Sequence, residues 1–200
     1  MLIEHQGKRP TVAASAYVAP TAVLCGDVHV GEDARILFGA VVTADGGAVD
    51  LGDGTIVMEN AVVRGRESNP VSIGRHVLIG PHSHVNGAVL EHDVFIATGA
   101  SVFPGAHVGA GSEVRINAVV HVNSVLPENS VVPIGWIAAG DPAQLFAPQA
   151  HEELWPVQMG LDFPGTVFGI AREELTMAKV SEHYAELFGA HRDDRVIEEP

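Results

Sequence analysis

Aliphatic residues recur every six positions through most of this chain, between Val12 and Val132. A second residue, usually Ala, Ser or Val, follows four positions after nearly every member of this set, with Glu67 and Trp136 as departures. A six-residue period is typical of a parallel β-helix, in which each segment forms one side of a triangular prism and three segments form one coil. The aliphatic positions that define the period are Val12, Val18, Leu24, Val30, Ile36, Val42, Leu51, Val57, Val63, Ile73, Ile79, Val85, Leu90, Ile96, Val102, Val108, Val114, Val120, Leu126 and Val132.

The two sets of residues have different places in the predicted prism. The aliphatic residue fills the interior, and the smaller residue lies inside near a corner, where there is no room for bulk. An antiparallel sandwich is the alternative, but it requires alternation by twos and hairpin signals between strands, and neither dominates here. The sequence therefore predicts an all-β fold, a parallel β-helix of about seven coils over residues 12–135 with coils about 4.8 Å apart. Residues 1–11 are predicted to be an N-terminal lead-in.

The regular pattern is interrupted by two short inserts and is followed by a different kind of segment. The inserts lie at residues 44–50 and 65–72, and both are rich in turn-forming residues. Residues 136–200 are predicted to form a C-terminal arm with an α-helix over about 171–188 and a charged tail. The helix must bury its apolar stripe on the outside of a prism, its own or a neighbour's. The stripe consists of Leu175, Met177, Val180, Tyr184, Leu187 and Phe188.

Composition and charge restrict the class of partner. The formal net charge of −14 disfavours binding to nucleic acid or to an anionic membrane surface. No run of eighteen apolar residues is present, so no membrane-spanning helix is expected. Residues 1–9 have no apolar core of the kind found in signal peptides. Cys25 is the one cysteine, which excludes an internal disulfide and fits a cytoplasmic protein, and it is interpreted as a small filler at a prism corner.

The period, the two inserts and the run Gly140-Asp141-Pro142-Ala143 resemble the γ-class carbonic anhydrase family over about residues 12–145. The resemblance implies a left-handed parallel β-helix and a homotrimer. It also implies a zinc ion between adjacent subunits, held by three histidines.

The three histidine positions of that family fall on other residue types in this chain. The first falls on Arg64, in the run IVMENAVVR at residues 56–64, and the other two fall on Pro81 and Asn86. Zinc catalysis needs about three protein ligands and an open position for water. Arg does not ligate zinc, Pro has no side-chain donor atom, and Asn is a poor ligand. The sequence therefore predicts loss of the family's zinc site, no carbonic anhydrase activity and no metal cofactor.

A relocated zinc site is the alternative to a metal-free protein. His82 and His84 form the one His-x-His pair of the chain, in the run GPHSHVNG at residues 80–87. Two histidines two apart on a strand point to the same face, so this pair could supply two ligands. Spacing identifies no third ligand, and the pair is retained here as the fallback metal site.

Counting three sides per coil places one outward residue from each coil in a single column, here called the Arg64 column. In a trimer this column would face the neighbouring chain. Arg64 and Asn86 of one chain would then meet Met58, Glu59, Pro81 and His82 of the next, with His84 on the approach. The members of the column are Cys25, Thr43, Arg64, Asn86, Phe103 and His121.

The predicted chemistry follows from these side chains. The Arg64 guanidinium presents a planar fork of donors suited to a carboxylate or an oxyanion, and Asn86 adds a neutral donor. His84 or His82 is the candidate base, because histidine titrates near neutral pH. The predicted catalytic set is Arg64, His84, Asn86 and Glu59, and the predicted substrate-binding set is His82, Asp45, Met58 and Pro81.

Three functional classes remain open at this point. The first is a metal-free lyase or hydrolase acting on a small carboxylate or acyl substrate at the subunit interface. The second is an acyl-CoA acyltransferase or thioesterase, which hexapeptide prisms also support, although neither insert contains a histidine. The third is a non-catalytic trimeric scaffold, in which Arg64 only pairs with Glu59 or Asp45 and holds subunits together. The fold alone does not choose among them.

Overall fold

The computed structural model describes residues 1–197, which form a parallel β-helix with a C-terminal segment of short helices on its outside. Strands of two to five residues alternate with turns, because a prism corner interrupts the extended chain about every six residues. Within each sheet, the inner strands pair in parallel with the equivalent strands one coil earlier and one coil later. The prediction of an all-β parallel β-helix with a C-terminal helix is therefore confirmed.

The strands form three faces of a prism. Face 1 contains eight parallel strands: Leu2–Glu4, Val23–Cys25, Val41–Asp45, Val62–Arg66, His84–Asn86, Ser101–Val102, Val119–Val120 and Ile137–Gly140. An antiparallel strand is added at each end of face 1, namely Ala143–Phe146 and Arg195–Ile197. Face 2 contains Thr11–Val12, Val28–Val30, Val49–Leu51, Val71–Ile73, Val89–Leu90, His107–Val108 and Val125–Leu126. Face 3 contains Tyr17–Val18, Arg35–Ile36, Ile56–Val57, Leu78–Ile79, Phe95–Ile96, Glu113–Val114 and Val131–Val132.

The stacked strands extend beyond the predicted limits of 12–135. Leu2–Glu4, in the predicted lead-in, pairs in parallel with Val23–Cys25, and Ile137–Gly140 pairs with Val119–Val120. The eight parallel strands of face 1 correspond to about eight coils rather than about seven. The first strand was missed because the hexad series begins only at Val12, so Leu2 has no periodic neighbour in the sequence.

The interior of the prism is filled by the periodic aliphatic residues. Leu24, Val42, Val85 and Ile96 are fully buried, and the small residues of the second set are buried beside them at the corners. Polar members of the second set are satisfied locally, as where the Ser83 hydroxyl donates to the Gly80 carbonyl at 2.7 Å. The other buried hydroxyls, those of Thr55, Ser112 and Ser124, also donate to backbone carbonyls, as a dry interior requires.

Three short helices form the C-terminal segment: α1 (His151–Gly160), α2 (Phe163–Phe168) and α3 (Met177–Gly189). The predicted helix over 171–188 corresponds to α3, which begins later because Thr176 is its N-cap and accepts a hydrogen bond from the Lys179 backbone. Residues before it form a 3₁₀ turn, Arg172–Glu174, and a second turn, Ala190–Asp193, follows it.

The C-terminal segment lies along face 1 of its own prism. Phe163 of α2 contacts the rings of Phe103 and His121, and the Asn123 side chain donates hydrogen bonds to Leu161 and Thr166. The predicted charged tail is in part a strand, since Arg195–Ile197 pairs with Leu2–Glu4. The rest of the predicted tail, residues 198–200, lies outside the described residues. Among residues 1–197, no helix is long and apolar enough to cross a membrane.

Candidate functional site

The Arg64 column is built by the register of face 1. Arg64 pairs with Thr43 in the coil before it and with Asn86 in the coil after it, and Thr43 pairs with Cys25. Each of these residues follows an inward aliphatic residue, so its own side chain points outward. Strand stacking therefore brings residues from distant parts of the sequence into one line.

The column is covered by the C-terminal segment of the same chain, which differs from the predicted arrangement between neighbouring chains. The guanidinium carbon of Arg64 lies 5.5 Å from the ring centroid of Phe188 in α3. Phe163 of α2 covers Phe103 and His121 at the other end of the column. The folded single chain thus supplies the partner surface that the sequence analysis assigned to another subunit.

Arg64 is paired with Asp45, a residue of the first insert. The Arg64 Nε atom lies 2.9 Å from Asp45 Oδ2, and the Asp45 side chain is 5% exposed. The Thr43 hydroxyl donates to the same carboxylate at 3.3 Å. Neither Arg64 Nε nor Asp45 Oδ1 has a hydrogen-bond partner within residues 1–197. The pair is held by charge.

A cavity of about 150 Å³ opens beside this pair, between face 1 and the C-terminal segment. Arg64, Arg66 and Ser68 contribute polar groups from the prism, and Tyr184 and Phe188 contribute the opposite wall. The Arg66 guanidinium is already engaged, because it donates to the backbone carbonyl of Val167. Within the described part of the chain, the terminal nitrogens of Arg64 make no hydrogen bond, and they remain available to a ligand.

Burial lowers the pKa of two histidines, His84 beside the Arg64 column and His121 within it. Burial lowers the pKa of His84, and the nearby Arg64 cation lowers it further. Burial also lowers the pKa of His121, whose Nδ1 atom has no hydrogen-bond partner in residues 1–197. Both imidazoles are therefore neutral near pH 7, the state in which a histidine accepts a proton. Asn86 is likewise buried, and its Oδ1 atom has no partner in the same described range.

Four of the predicted site residues lie apart from Arg64 in the single chain. Met58, Glu59, Pro81 and His82 occupy the corners that follow the strands of face 3, and none of them lines the cavity at Arg64. Glu59 is thus not the partner of Arg64 in this chain. Their contact with Arg64 through a neighbouring subunit stays a prediction.

The histidine pair suggested as a fallback metal site is not assembled on one face. His82 lies in a turn with a φ of 56° and is exposed, whereas His84 lies on a strand and is half-buried. The strand geometry assumed for the pair therefore does not apply. Neither histidine belongs to a group of three or more metal-ligating side chains within residues 1–197.

The zinc ion implied by the resemblance does not fit the residues at the corresponding positions. Arg64 is a cation already paired with a carboxylate, Pro81 offers no side-chain donor, and Asn86 offers a single amide group. Three anionic or imidazole ligands are absent from this position, and an arginine beside it opposes the binding of a cation.

A different cluster, which the sequence analysis did not identify, lies at the N-terminal end of face 1. His5 Nδ1 lies 2.6 Å from Asp194 Oδ1, and His191 Nδ1 lies 2.8 Å from Asp194 Oδ2. The Cys25 thiol donates to Asp194 Oδ2 at 3.6 Å. In the sequence, the spacing of His191 and Asp194 is the one local feature that indicates this cluster. His5 and Cys25 lie at the opposite end of the sequence.

Burial and neighbouring groups shift the pKa values of Cys25 and Asp194. Burial and the neighbouring carboxylate of Asp194 raise the pKa of the Cys25 thiol to about 12. Burial acts to raise the pKa of Asp194, but hydrogen bonds from His191 and His5 overcome it and lower the pKa. The protein without a bound ion therefore holds a protonated thiol beside a carboxylate.

About half of the chain is similar in sequence to γ carbonic anhydrases. Gamma carbonic anhydrase 3, mitochondrial, of Arabidopsis thaliana is 37% identical over 100 residues, or 47% of this chain and 39% of that protein. Gamma carbonic anhydrase-like 1, mitochondrial, of the same plant is 34% identical over 88 residues, which cover 41% of this chain and 35% of that protein. A carbonic anhydrase of Geobacillus kaustophilus is 28% identical over 102 residues, which cover 51% of this chain and 56% of that protein. No protein-family model matches the chain.

The matched region is only part of those relatives. The chain spans 39% and 37% of the length of the first two curated relatives. Their activities are therefore not transferred to this protein on similarity alone.

Solved structures give a weaker likeness. A hexapeptide transferase family protein from Anaplasma phagocytophilum is 22% identical with a TM-score of 0.38, over 92% of this chain and 96% of that one. The LpxA protein of Acinetobacter baumannii is 17% identical with a TM-score of 0.45, over 90% of this chain and 87% of that one. The fold assignment rests on the strand pairing of this chain. The six-residue period and the stacked parallel strands make the chain a hexapeptide-repeat β-helix protein, and about half of it is similar in sequence to γ carbonic anhydrases.

Proposed function

We propose that this protein binds a small carboxylate or acyl anion at Arg64 and acts on it as a lyase or hydrolase, without zinc at the position the γ carbonic anhydrases use. One observation supports this most directly. The Arg64 guanidinium is fixed by Asp45 and Phe188, and its terminal nitrogens are free beside a cavity of about 150 Å³.

The fixed position of Arg64 favours binding of an anion. A guanidinium whose Nε edge is occupied still offers donors at its outer end, where a carboxylate can accept two of them. Because Asp45 and Phe188 hold the side chain in place, less conformational entropy is lost when the ligand binds. Ser68 and Tyr184 line the same cavity and add neutral hydroxyl groups.

The size of the cavity favours a small substrate over an acyl-CoA. Sites for drug-sized ligands are typically about 300–1,000 Å³, and this cavity is about half the lower limit. The cavity therefore suits a carboxylate of a few heavy atoms, and we retain the lyase or hydrolase class ahead of the acyltransferase class.

His84 is the proposed base, and Asn86 is the proposed neutral partner of the substrate. Burial and the Arg64 cation lower the pKa of His84, so its imidazole can accept a proton near neutral pH. Asn86 lies directly beside Arg64 in the strand stack, and its buried Oδ1 atom is free to accept from a substrate hydroxyl or a water. Neither side chain lines the cavity itself, so their proposed roles rest on the strand stack, in which His84 lies beside Val62 and Asn86 beside Arg64.

The test is calorimetric titration with acetate and malonate, compared with acetamide as the neutral analogue. We expect the two carboxylates to bind and acetamide not to bind. Arg64→Gln is expected to weaken carboxylate binding by about tenfold or more, because a charge-assisted contact is lost. Arg115→Gln is the matched control, since Arg115 is exposed and pairs with Glu113. Equal binding of acetamide, or unchanged affinity in Arg64→Gln, contradicts the proposal.

A homotrimer is part of the proposal, and it is argued from face 3 because the C-terminal segment of the same chain covers Arg64. Face 3 offers a surface for such contact. Its outward column places Ile56, Leu78 and Phe95 in three consecutive coils, and Phe95 is 39% exposed. An exposed apolar stripe of this kind commonly marks a surface that contacts another protein chain.

Light scattering of the purified protein at micromolar concentration tests the trimer. We expect a mass of three chains, and we expect Phe95→Lys to shift the distribution toward the monomer because a charge is placed in the apolar stripe. His107→Lys on face 2 is the control, since it lies on a different face of the prism. A monomeric wild type contradicts the proposed assembly.

A further inference from the structure

We infer that His5, Cys25, His191 and Asp194 form a zinc site that fastens the C-terminal segment to the first coils of the prism. The site lies next to the Arg64 cavity and shares the neighbouring Asp45 with it, but it does not depend on the proposed function. It also lies away from Pro81 and Asn86, two of the positions where the resemblance would place zinc.

The geometry of the four side chains suits a small cation. One ligand atom from each residue can be chosen so that all four lie within 4.8 Å of one another. In a tetrahedral zinc site with bonds of about 2.0–2.3 Å, the ligand atoms are roughly 3.3–3.8 Å apart. His5 and His191 already direct their Nδ1 atoms at the two oxygens of Asp194, at 2.6 and 2.8 Å. Small side-chain movements are enough to place an ion among them.

The donor types identify the ion. Two imidazole nitrogens, a thiol and a carboxylate form a set preferred by zinc, whereas magnesium and calcium require oxygen ligands. Thiolate and carboxylate together carry two negative charges, which a divalent cation neutralises. A bound zinc ion removes the proton of a coordinating thiol, so Cys25 would ligate as the thiolate. The His5 and Cys25 side chains are buried, which protects such a bond from solvent.

A further buried group supports one of the ligands. His191 Nε2 lies 3.4 Å from Asp45 Oδ1, on the side of the ring opposite the cluster. That oxygen is buried and has no hydrogen-bond partner in residues 1–197. A carboxylate behind a ligating imidazole fixes the tautomer and orientation of the ring, an arrangement common at metal sites. The unpartnered atom of Asp45 is thus explained if His191 donates to it while Nδ1 binds the ion.

The position of the cluster in the fold indicates what the ion does. His5 follows the first strand of face 1 and Cys25 ends the second, whereas His191 and Asp194 come from the end of the chain. The strand Arg195–Ile197 pairs with Leu2–Glu4 beside the cluster. A bound ion therefore connects both ends of the described chain and holds the C-terminal segment over face 1.

Metal content and cobalt absorption test the inference. The full chain is purified, stripped with a chelator, reloaded with zinc or with cobalt, and analysed for metal by elemental analysis. We expect one ion per chain and, with cobalt, a near-ultraviolet thiolate charge-transfer band. Cys25→Ser is expected to abolish the band, and both Cys25→Ser and His191→Gln are expected to lose the ion. His76→Gln, at an exposed histidine, is expected to behave as the wild type.

Two further measurements separate loss of the ion from loss of the fold. Each variant is compared with the wild type by circular dichroism, and His84→Gln is included because it removes the histidine of the alternative pair. Retention of the ion in His84→Gln and its loss in folded Cys25→Ser support the assignment. A wild type that takes up neither zinc nor cobalt, a folded Cys25→Ser that keeps the ion, or a folded His84→Gln that loses it overturns the inference.

Discussion

Leu90→Ala is expected to lower the free energy of unfolding by about 2–5 kcal/mol, the usual cost of a large cavity in a close-packed interior. Leu90 is 1% exposed and stacks between Ile73 and Val108 on face 2. Neighbouring coils are fixed by backbone hydrogen bonds on both sides, so the prism has little freedom to collapse into the space that the side chain vacates.

The adjacent residue provides the matched control. Val89 lies on the same two-residue strand but points outward and is 38% exposed. Val89→Ala is expected to change the free energy of unfolding by about 0.5 kcal/mol or less. Denaturant unfolding of both variants measures the difference. Similar losses from the two substitutions contradict the inward and outward assignment of the six-residue pattern.

Gly47→Ala is expected to lower the free energy of unfolding by about 1–3 kcal/mol and to weaken carboxylate binding at Arg64. A Cβ atom at Gly47 would lie 1.9 Å from the backbone carbonyl oxygen of Arg66. The first insert and the strand Val62–Arg66 must then move apart. Because Asp45 is two residues away, this movement disturbs the ion pair that fixes Arg64.

Gly160→Ala is the control for this substitution. A Cβ atom at Gly160 meets no atom within 4 Å, and this residue lies in α1, away from the cavity. We expect little change in stability and none in carboxylate affinity. Calorimetric titration and denaturant unfolding compare the two variants. An unaffected Gly47→Ala variant means that the close approach of the two inserts does not determine the position of Arg64.

The prism was predictable from sequence because its determinant is local and repeated. Each coil needs an inward aliphatic residue such as Leu24 or Val42 and a small residue such as Ala22 at the corner, and both recur at fixed spacing. Leu2 was missed because one strand without a periodic neighbour gives no signal. The Arg64 column was also predictable, since register follows from counting residues in each coil.

The residues that surround Arg64 could be predicted less well, because the sequence of the C-terminal segment has no periodic pattern of apolar residues. The sequence showed that α3 has an apolar stripe but not which surface it covers, and Phe188 therefore appeared unrelated to Arg64. The cluster at His5 and His191 joins residues from opposite ends of the chain. Only the pairing of Arg195–Ile197 with the first strand brings them together, and no spacing rule connects them.

A guanidinium lies at the position where the resemblance to γ carbonic anhydrases would place zinc. Anomalous diffraction at the zinc absorption edge, from crystals grown with zinc and malonate, tests this most directly. We expect a zinc peak among His5, Cys25, His191 and Asp194, and malonate without zinc at Arg64. A zinc ion bound between Arg64 and Asn86 would contradict it.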